Sequence, residues 1–440
     1  MPYPGEHASP VAHSEMLAKL DFTRTLERWE VRARRPVGEC PQGLAIRDAM
    51  GSADVAEQVV AVDGSLLVVS VDTGHGAAVI QVGVASIALG AYLASAEVHG
   101  RPVDRPMLSA SVEKDRLYWL LATSGAVPRS GGDEMDLWRE DVFHGFREST
   151  VTLAPGVERS LLDGLFVLYG RPGKAAQHVV VPACPHGCRE RVFEVGREPL
   201  VCGSCKGMVY PTDVLRTHTE CGLHGARPEA VQRLMVAAER LVTLLHIEHL
   251  YQESPSSLGT TMFFTDGPLA FFGATGPLKV AMGSYWAALV RIATARGLGL
   301  PLLVGIEKGG VLVEHVQQIA DAFAPGTYCV PDDTYMARSV TNNDTGKPFG
   351  ADTYYGHHVL YKDLAGQMHV LSVPKMPGES GNRCTYPRLD AVLAQIDTMR
   401  SAIHPGALFP VVEAHRVAAL PSAAEPMLLE ILKRAEAPGR

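Results

Sequence analysis

Residues 57–89 read EQVVAVDGSLLVVSVDTGHGAAVIQVGVASIAL, and the fold expected of the chain hangs on them. The Val- and Ile-rich runs at 57–65, 66–72 and 77–89 have the composition and period of strands. Asp-Gly-Ser at 63–65 and Asp-Thr-Gly-His-Gly at 72–76 are turn-forming stretches, so the three runs are expected to form a meander of adjacent antiparallel strands.

Working outward, a long helical pattern covers 228–252 and a strand, TTMFFTD, covers 260–266. A helix follows near 277–296, then a strand, PLLVGIE, at 301–307 and a helix near 311–324. Three consecutive strands followed by alternating helices and strands is the element order of an RNase H-like fold. The expected class is therefore α/β, a mixed sheet flanked by helices. The segment 90–180 resists reading, and its acidic stretch GGDEMDLWRED at 131–141 suggests loops with short helices. Residues 1–50, with a helical pattern around Glu15–Arg34 and a basic run at Arg32–Arg35, are expected to be a helical extension. The RNase H-like body is expected over 51–180 and 226–440, interrupted by a cysteine-rich insertion at 181–225.

A chain of 440 residues with 46% apolar and 20% charged residues has the balance of an ordinary globular protein of two or three domains. No run approaches the roughly 18 apolar residues of a membrane span, and MPYPGEHASPVAHSEM lacks the basic start and apolar core of a signal peptide. A cytoplasmic protein without a membrane partner is expected. The formal net charge of −8 gives no global attraction to nucleic acid, so DNA contact would need a local basic surface or bound cations.

Six of the eight cysteines lie between Cys184 and Cys329, and in a reducing compartment paired spacings point to metal rather than disulfides. Cys184-Pro-His-Gly-Cys188 and Cys202-Gly-Ser-Cys205 form two knuckles separated by RERVFEVGREPLV, which reads as a β-hairpin. This is a zinc-ribbon pattern, and four thiolates close the site, so a structural Zn2+ is expected. Cys221 and His224 are either a substitute pair or, the simpler reading, part of the loop leading to the long helix. Arg189, Arg191, Arg197 and Lys206 surround the knuckles and are candidates for DNA phosphate contacts, with a solvated surface the equally simple alternative.

Three carboxylates carry the candidate chemistry. Asp63 and Asp266 each follow a β-rich run and precede a glycine, which would expose them at strand ends, although Asp-Gly is also just a good turn former. On the helix 228–252, Glu248 lies at the edge of the apolar stripe Val231, Leu234, Met235, Ala238, Leu241 and Leu245, whereas Glu239 points further from it and is the weaker candidate. Converging carboxylates form a hard oxygen cage for Mg2+ or Mn2+, the ions of phosphodiester cleavage; the alternative is a set of unrelated turn and surface acids.

At these residues the chain resembles the NurA nucleases, partners of the HerA helicase-translocase. The resemblance runs from about Val62 to the C-terminus. It rests on Val62-Asp-Gly-Ser65, Ile247-Glu-His-Leu-Tyr251 with Phe264-Thr-Asp-Gly-Pro-Leu269, Val304-Gly-Ile-Glu-Lys-Gly-Gly310, Tyr354-Tyr-Gly-His-His358 and Phe409-Pro-Val-Val-Glu-Ala-His-Arg416. It implies an RNase H-like fold, a homodimer, a Mn2+- or Mg2+-dependent deoxyribonuclease acting on DNA ends and single strands, and a hexameric HerA-type ATPase as partner. It also implies that Asp63, Glu248 and Asp266 bind the catalytic metal, that His415 is a ligand or proton carrier, and that Lys308 holds a phosphate. The family's archaeal members carry a tyrosine eight residues before that histidine, where this chain has Ala407; its hydroxyl must be absent or supplied from elsewhere, with Tyr335 and Tyr355 the candidates. No G-x-x-x-x-G-K-[ST] loop is present, so any ATP dependence must come from a partner. A non-catalytic zinc-ribbon adaptor and a phosphohydrolase of small substrates are the competing readings.

Overall fold

The computed structural model describes Arg28 and residues 44–52, 56–72, 74–96, 112–222, 225–226, 228–341, 349–379, 384–401 and 407–436. The helical pattern at Glu15–Arg34 (Arg28 apart), the basic run at Arg32–Arg35 and His224 lie outside them.

Among the described residues nine strands form one mixed sheet: β1 (Arg47–Asp48), β2 (Gln58–Ser70), β3 (Gly76–Ala88), β4 (Val112–Ser124), β5 (Thr261–Asp266), β6 (Leu302–Glu307), β7 (Thr327–Cys329), β8 (Gly356–Lys362) and β9 (Met368–Pro374). Their spatial order is β1-β7-β8-β9-β6-β5-β2-β3-β4. β2, β5 and β6 run parallel to one another, while β2–β3 and β3–β4 are antiparallel, as is every pair from β6 out to β1. The helices used below are α1 (Glu134–Glu148), α2 (Pro228–Glu253), α3 (Leu278–Arg296) and α4 (Phe409–Ala418).

The structure departs from the expected meander in an instructive way. Asp63-Gly64-Ser65 is not a turn: β2 continues through it, with Asp63 opposite Gly83, Gly64 opposite Val82 and Ser65 opposite Gln81. The two runs at 57–65 and 66–72 are thus one long strand, because an unbroken ladder to β3 outweighs the local turn preference of Asp-Gly. The third strand of the meander is β4, in the segment that resisted reading. Its start, Val-Glu-Lys-Asp-Arg, is charged because the strand lies at the sheet edge and Glu113, Lys114 and Arg116 are exposed there. The acidic stretch at 131–141, expected as loops with short helices, leads at Asp133 into α1, a helix of 15 residues. Asp133 caps it, accepting from the Asp136 amide, and the Asp136 carboxylate returns to the Asp133 amide in a capping box. Arg47–Asp48, assigned to the extension, pairs with Tyr328 and Thr327 and so belongs to the sheet.

Two helices sandwich the middle of the sheet. A Cβ on Gly83 would overlap the backbone of Val417 and Ala418 in α4, and one on Gly64 would overlap Glu239 and Met235 of α2. Adjacent positions on a strand face opposite sides, and residues directly opposite in a ladder share one, so Asp63 and Gly83 face α4 while Gly64 faces α2. The approach at Gly83, against backbone, requires glycine, while at Gly64 it is side chains of α2 that come close. Buried residues of β2, β3, β5, β6, α2 and α3 form one continuous hydrophobic core. No helix among the described residues is long and apolar enough to cross a membrane.

Candidate functional site

The acidic cluster forms where the parallel strands end. Thr265 of β5 lies beside Val62 of β2, so the next step of the register sets Asp266 beside Asp63. Asp266 is in turn level with Ile306 of β6, and Lys308, two residues on, falls on the same face. Lys308 Nζ lies 2.8 Å from Asp266 Oδ1 and 4.0 Å from Asp63 Oδ2. From α4, His415 Nδ1 meets Asp63 Oδ2 at 3.0 Å, and the ring is otherwise largely exposed. The other Asp63 oxygen accepts the Gly64 amide at 2.8 Å. Burial, then the negative charge of Asp266, raise the Asp63 carboxyl above its ordinary range, against the opposing effects of Lys308 and His415.

The third acid of this cluster is Glu239. It is fully buried, and burial pushes its carboxyl up to about 8, with Arg240 pulling down and Asp63 and Asp266 adding to the rise. Arg240 Nη1 lies 3.3 Å from Glu239 Oε2, while its Nη2 donates to the carbonyls of Asp266 at 2.7 Å and Pro268 at 2.9 Å. One guanidinium therefore partly neutralises Glu239 and fixes the turn that carries Asp266.

Glu248 is not brought to the cluster. It sits nine residues further along α2, about 13 Å down the axis at 1.5 Å per residue. Its carboxylate is saturated elsewhere: Tyr285 OH donates to Oε2 at 2.6 Å, and the Gly173 amide at 2.8 Å and Gln252 Nε2 at 2.6 Å donate to Oε1. Chain direction explains this. Residues 254–260 connect α2 to the start of β5, so the C-terminal turns of α2 lie at the end of β5 opposite Asp266. The stripe argument failed because α2 is buried on all sides between Ala237 and Glu248, which leaves no outward face against which to place Glu239.

Of the tyrosines considered in place of Ala407, Tyr355 is buried, pushed up to about 12 mainly by that burial, and feels the charges of Arg240 and Glu239. Tyr335 instead pairs with His315 Nε2 at 2.6 Å. No protein-family model matches the chain, and no curated protein is similar to it. What the cluster does must therefore be argued from its chemistry.

The cysteines form a second site. Sγ of Cys184, Cys188, Cys202 and Cys205 all lie within 4.8 Å of one another, the only such group of three or more metal-ligating side chains among the described residues. Cys184 and Cys205 are 3.6 Å apart and Cys188 and Cys202 3.5 Å, too far for disulfides. A tetrahedron of roughly 2.3 Å Zn–S bonds has S–S edges of about 3.8 Å, so the four residues can hold one structural ion such as zinc. The hairpin expected between the knuckles is replaced by two, each with a knuckle at its turn. Val179–Ala183 pairs with Arg191–Val195, and Leu200–Val201 pairs with Met208–Val209.

The ribbon is bolted to the body by Arg139 of α1. This buried guanidinium bonds Asp213 at 2.8 and 2.7 Å, Asp136 at 3.1 Å, the knuckle's His186 at 3.0 Å and the Met208 carbonyl. Arg189 and Arg191 are exposed on the ribbon, Arg191 bonding the Cys188 carbonyl at 3.3 Å. Arg197 is drawn to Asp163 at 2.6 Å and Lys206 to the Gly203 carbonyl at 2.9 Å. Cys202→Ser is expected to lower metal content, from about one tightly held zinc per chain, and melting temperature together. Elemental analysis with thermal denaturation checks this; protein prepared without chelator that lacks zinc would remove the assignment.

Proposed function

We propose that the chain is a divalent-metal-dependent DNA nuclease of the NurA type, on an RNase H-like fold. The observation that carries the reading is the placement of Asp63 and Asp266 side by side with Lys308 and His415, with Glu239 close on the other face of β2, where the parallel pairing of β2 with β5 ends. Ligand sites in open α/β sheets gather at that edge. The order β4-β3-β2-β5-β6, with β3 alone antiparallel to the rest, supports the fold assignment.

Carboxylate oxygen is the donor a hard cation takes, although the oxygens of Asp63, Asp266 and Glu239 are not all gathered within 4.8 Å of one another. Two of the three carboxylates, Asp63 and Glu239, are buried, on opposite faces of β2, with one ammonium and one guanidinium nearby for compensation, and burying such charge without a partner costs several kcal/mol. Asp63, Asp266 and Glu239 would hold Mn2+ or Mg2+, which when bound polarises the phosphodiester and lowers the pKa of water. Lys308, anchored on Asp266, offers an ammonium to a phosphate oxygen. His415 is oriented through Nδ1 by Asp63, which leaves Nε2 at the exposed side of the ring to hold or pass a proton. Arg240 keeps the Asp266 turn in place.

A non-catalytic zinc-ribbon adaptor, the other reading, gives no reason to bury Asp63 and Glu239 beside Asp266. With Mn2+ the purified chain is expected to cut plasmid and end-labelled DNA but to release no phosphate from free nucleotides, and EDTA is expected to stop it. Release from nucleotides alone would instead make it a small-molecule phosphohydrolase. On long duplex the reading calls for a HerA-type hexameric ATPase to drive translocation of a dimeric nuclease. Co-purification tests that partnership, and full activity of the isolated chain on long duplex without association would end it.

A further inference from the structure

A cavity of about 330 Å3 opens beside the acid cluster on the α2 side, near the lower end of the range that small-molecule sites occupy. Asp266 and Glu239 line it together with Met235 and Val236 of α2 and with Phe272, from the segment after β5. Phe272 is half-buried, its ring set at 89° to that of Tyr354 with centroids 5.7 Å apart.

The segment that carries Phe272 is held from beneath. Glu220 accepts the Ala274 amide at 2.9 Å and Arg233 Nε at 2.6 Å, which ties the loop to α2. Gly273 has φ +56°, a left-handed backbone conformation that favours glycine, and it lies against the Arg233 guanidinium. On the other side Arg240 fixes the carbonyls of Asp266 and Pro268. The result is an aromatic ring and two aliphatic walls at a set position next to the two carboxylates. A flat ligand with apolar faces suits such walls, and stacking on an aromatic ring is how unpaired bases are held regardless of sequence.

We propose, resting on the nuclease reading, that this cavity is the subsite for one unpaired nucleobase of the strand being cut. Phe272 is its stacking platform, and Asp266 and Glu239 stand at the adjoining phosphate. Met235 and Val236 are the aliphatic walls beside that platform. The substrate at the point of cleavage is then single-stranded or frayed DNA.

The test uses the full chain, Mn2+ and a single-stranded oligonucleotide with or without one abasic residue. Wild type is expected to cut the bonds flanking the abasic position about ten-fold more slowly than the same bonds in the intact strand. Phe272→Ala is expected to cut the intact strand about ten-fold more slowly than wild type and to be indifferent to the abasic residue, while Phe272→Trp keeps the wild-type discrimination. Equal cleavage of both strands by wild type, or undiminished discrimination by Phe272→Ala, overturns the subsite and leaves the nuclease standing. No Mn2+-dependent cleavage of either strand by wild type overturns the nuclease reading itself.

Discussion

Asp63→Asn and Asp266→Asn are each expected to lower Mn2+-dependent DNA cleavage by about 1000-fold, the loss of roughly 4 kcal/mol of transition-state stabilisation that goes with removing a ligand of the catalytic cation. Folding should survive. Asp63 is buried and its carboxyl is already raised by desolvation and by Asp266, so a neutral amide of the same shape removes like-charge repulsion rather than packing. A melting temperature at or slightly above that of wild type, with the cleavage rate lost, is the expected pair of results. Either variant turning over at the wild-type rate would show that these two acids are not catalytic.

The second large effect separates two glutamates on one helix. Glu239→Gln is expected to cut DNA at least about 100-fold more slowly, because an amide at the cluster cannot match a carboxylate as a cation ligand. Glu248→Gln is expected to keep the wild-type rate but to lose about 1–3 kcal/mol of stability. Its carboxylate accepts from Tyr285, Gly173 and Gln252, and an amide must turn its NH2 toward at least one of these donors. Cleavage kinetics and thermal melts on the two variants decide the matter. An inactive, stable Glu248→Gln beside an active Glu239→Gln would return the third acid to the position the resemblance assigns.

That contrast shows where the sequence was legible. TTMFFTD and PLLVGIE were readable as strands because fully buried parallel strands are short apolar runs with turn residues at their ends, and the observed strands are Thr261–Asp266 and Leu302–Glu307. The cysteine knuckles were readable because four ligands at fixed spacing leave little choice of geometry. β4 was hidden by its charged first half, a consequence of lying at the sheet edge, and the start of α1 was hidden because its first turn is acidic for capping. Asp63 was found for a partly mistaken reason. It was expected at a turn, yet it lies within an unbroken ladder and faces α4, while Gly64 lets Glu239 approach from the other side. The burial of Glu239 near Asp63 and Asp266 was not legible because periodicity identifies one buried stripe, and α2 has no exposed face in that region. The direction of α2 into β5 carried the missing signal, since it sets Glu248 at the end of β5 opposite Asp266.

The most direct measurement of the central claim is Mn2+ binding to the purified, zinc-loaded chain, followed by calorimetry in parallel with Asp63→Asn. The account predicts that wild type binds Mn2+ and that the Asp63→Asn variant loses this binding while its zinc content is unchanged. Mn2+ binding of equal strength in the two proteins, or none in wild type, would contradict it.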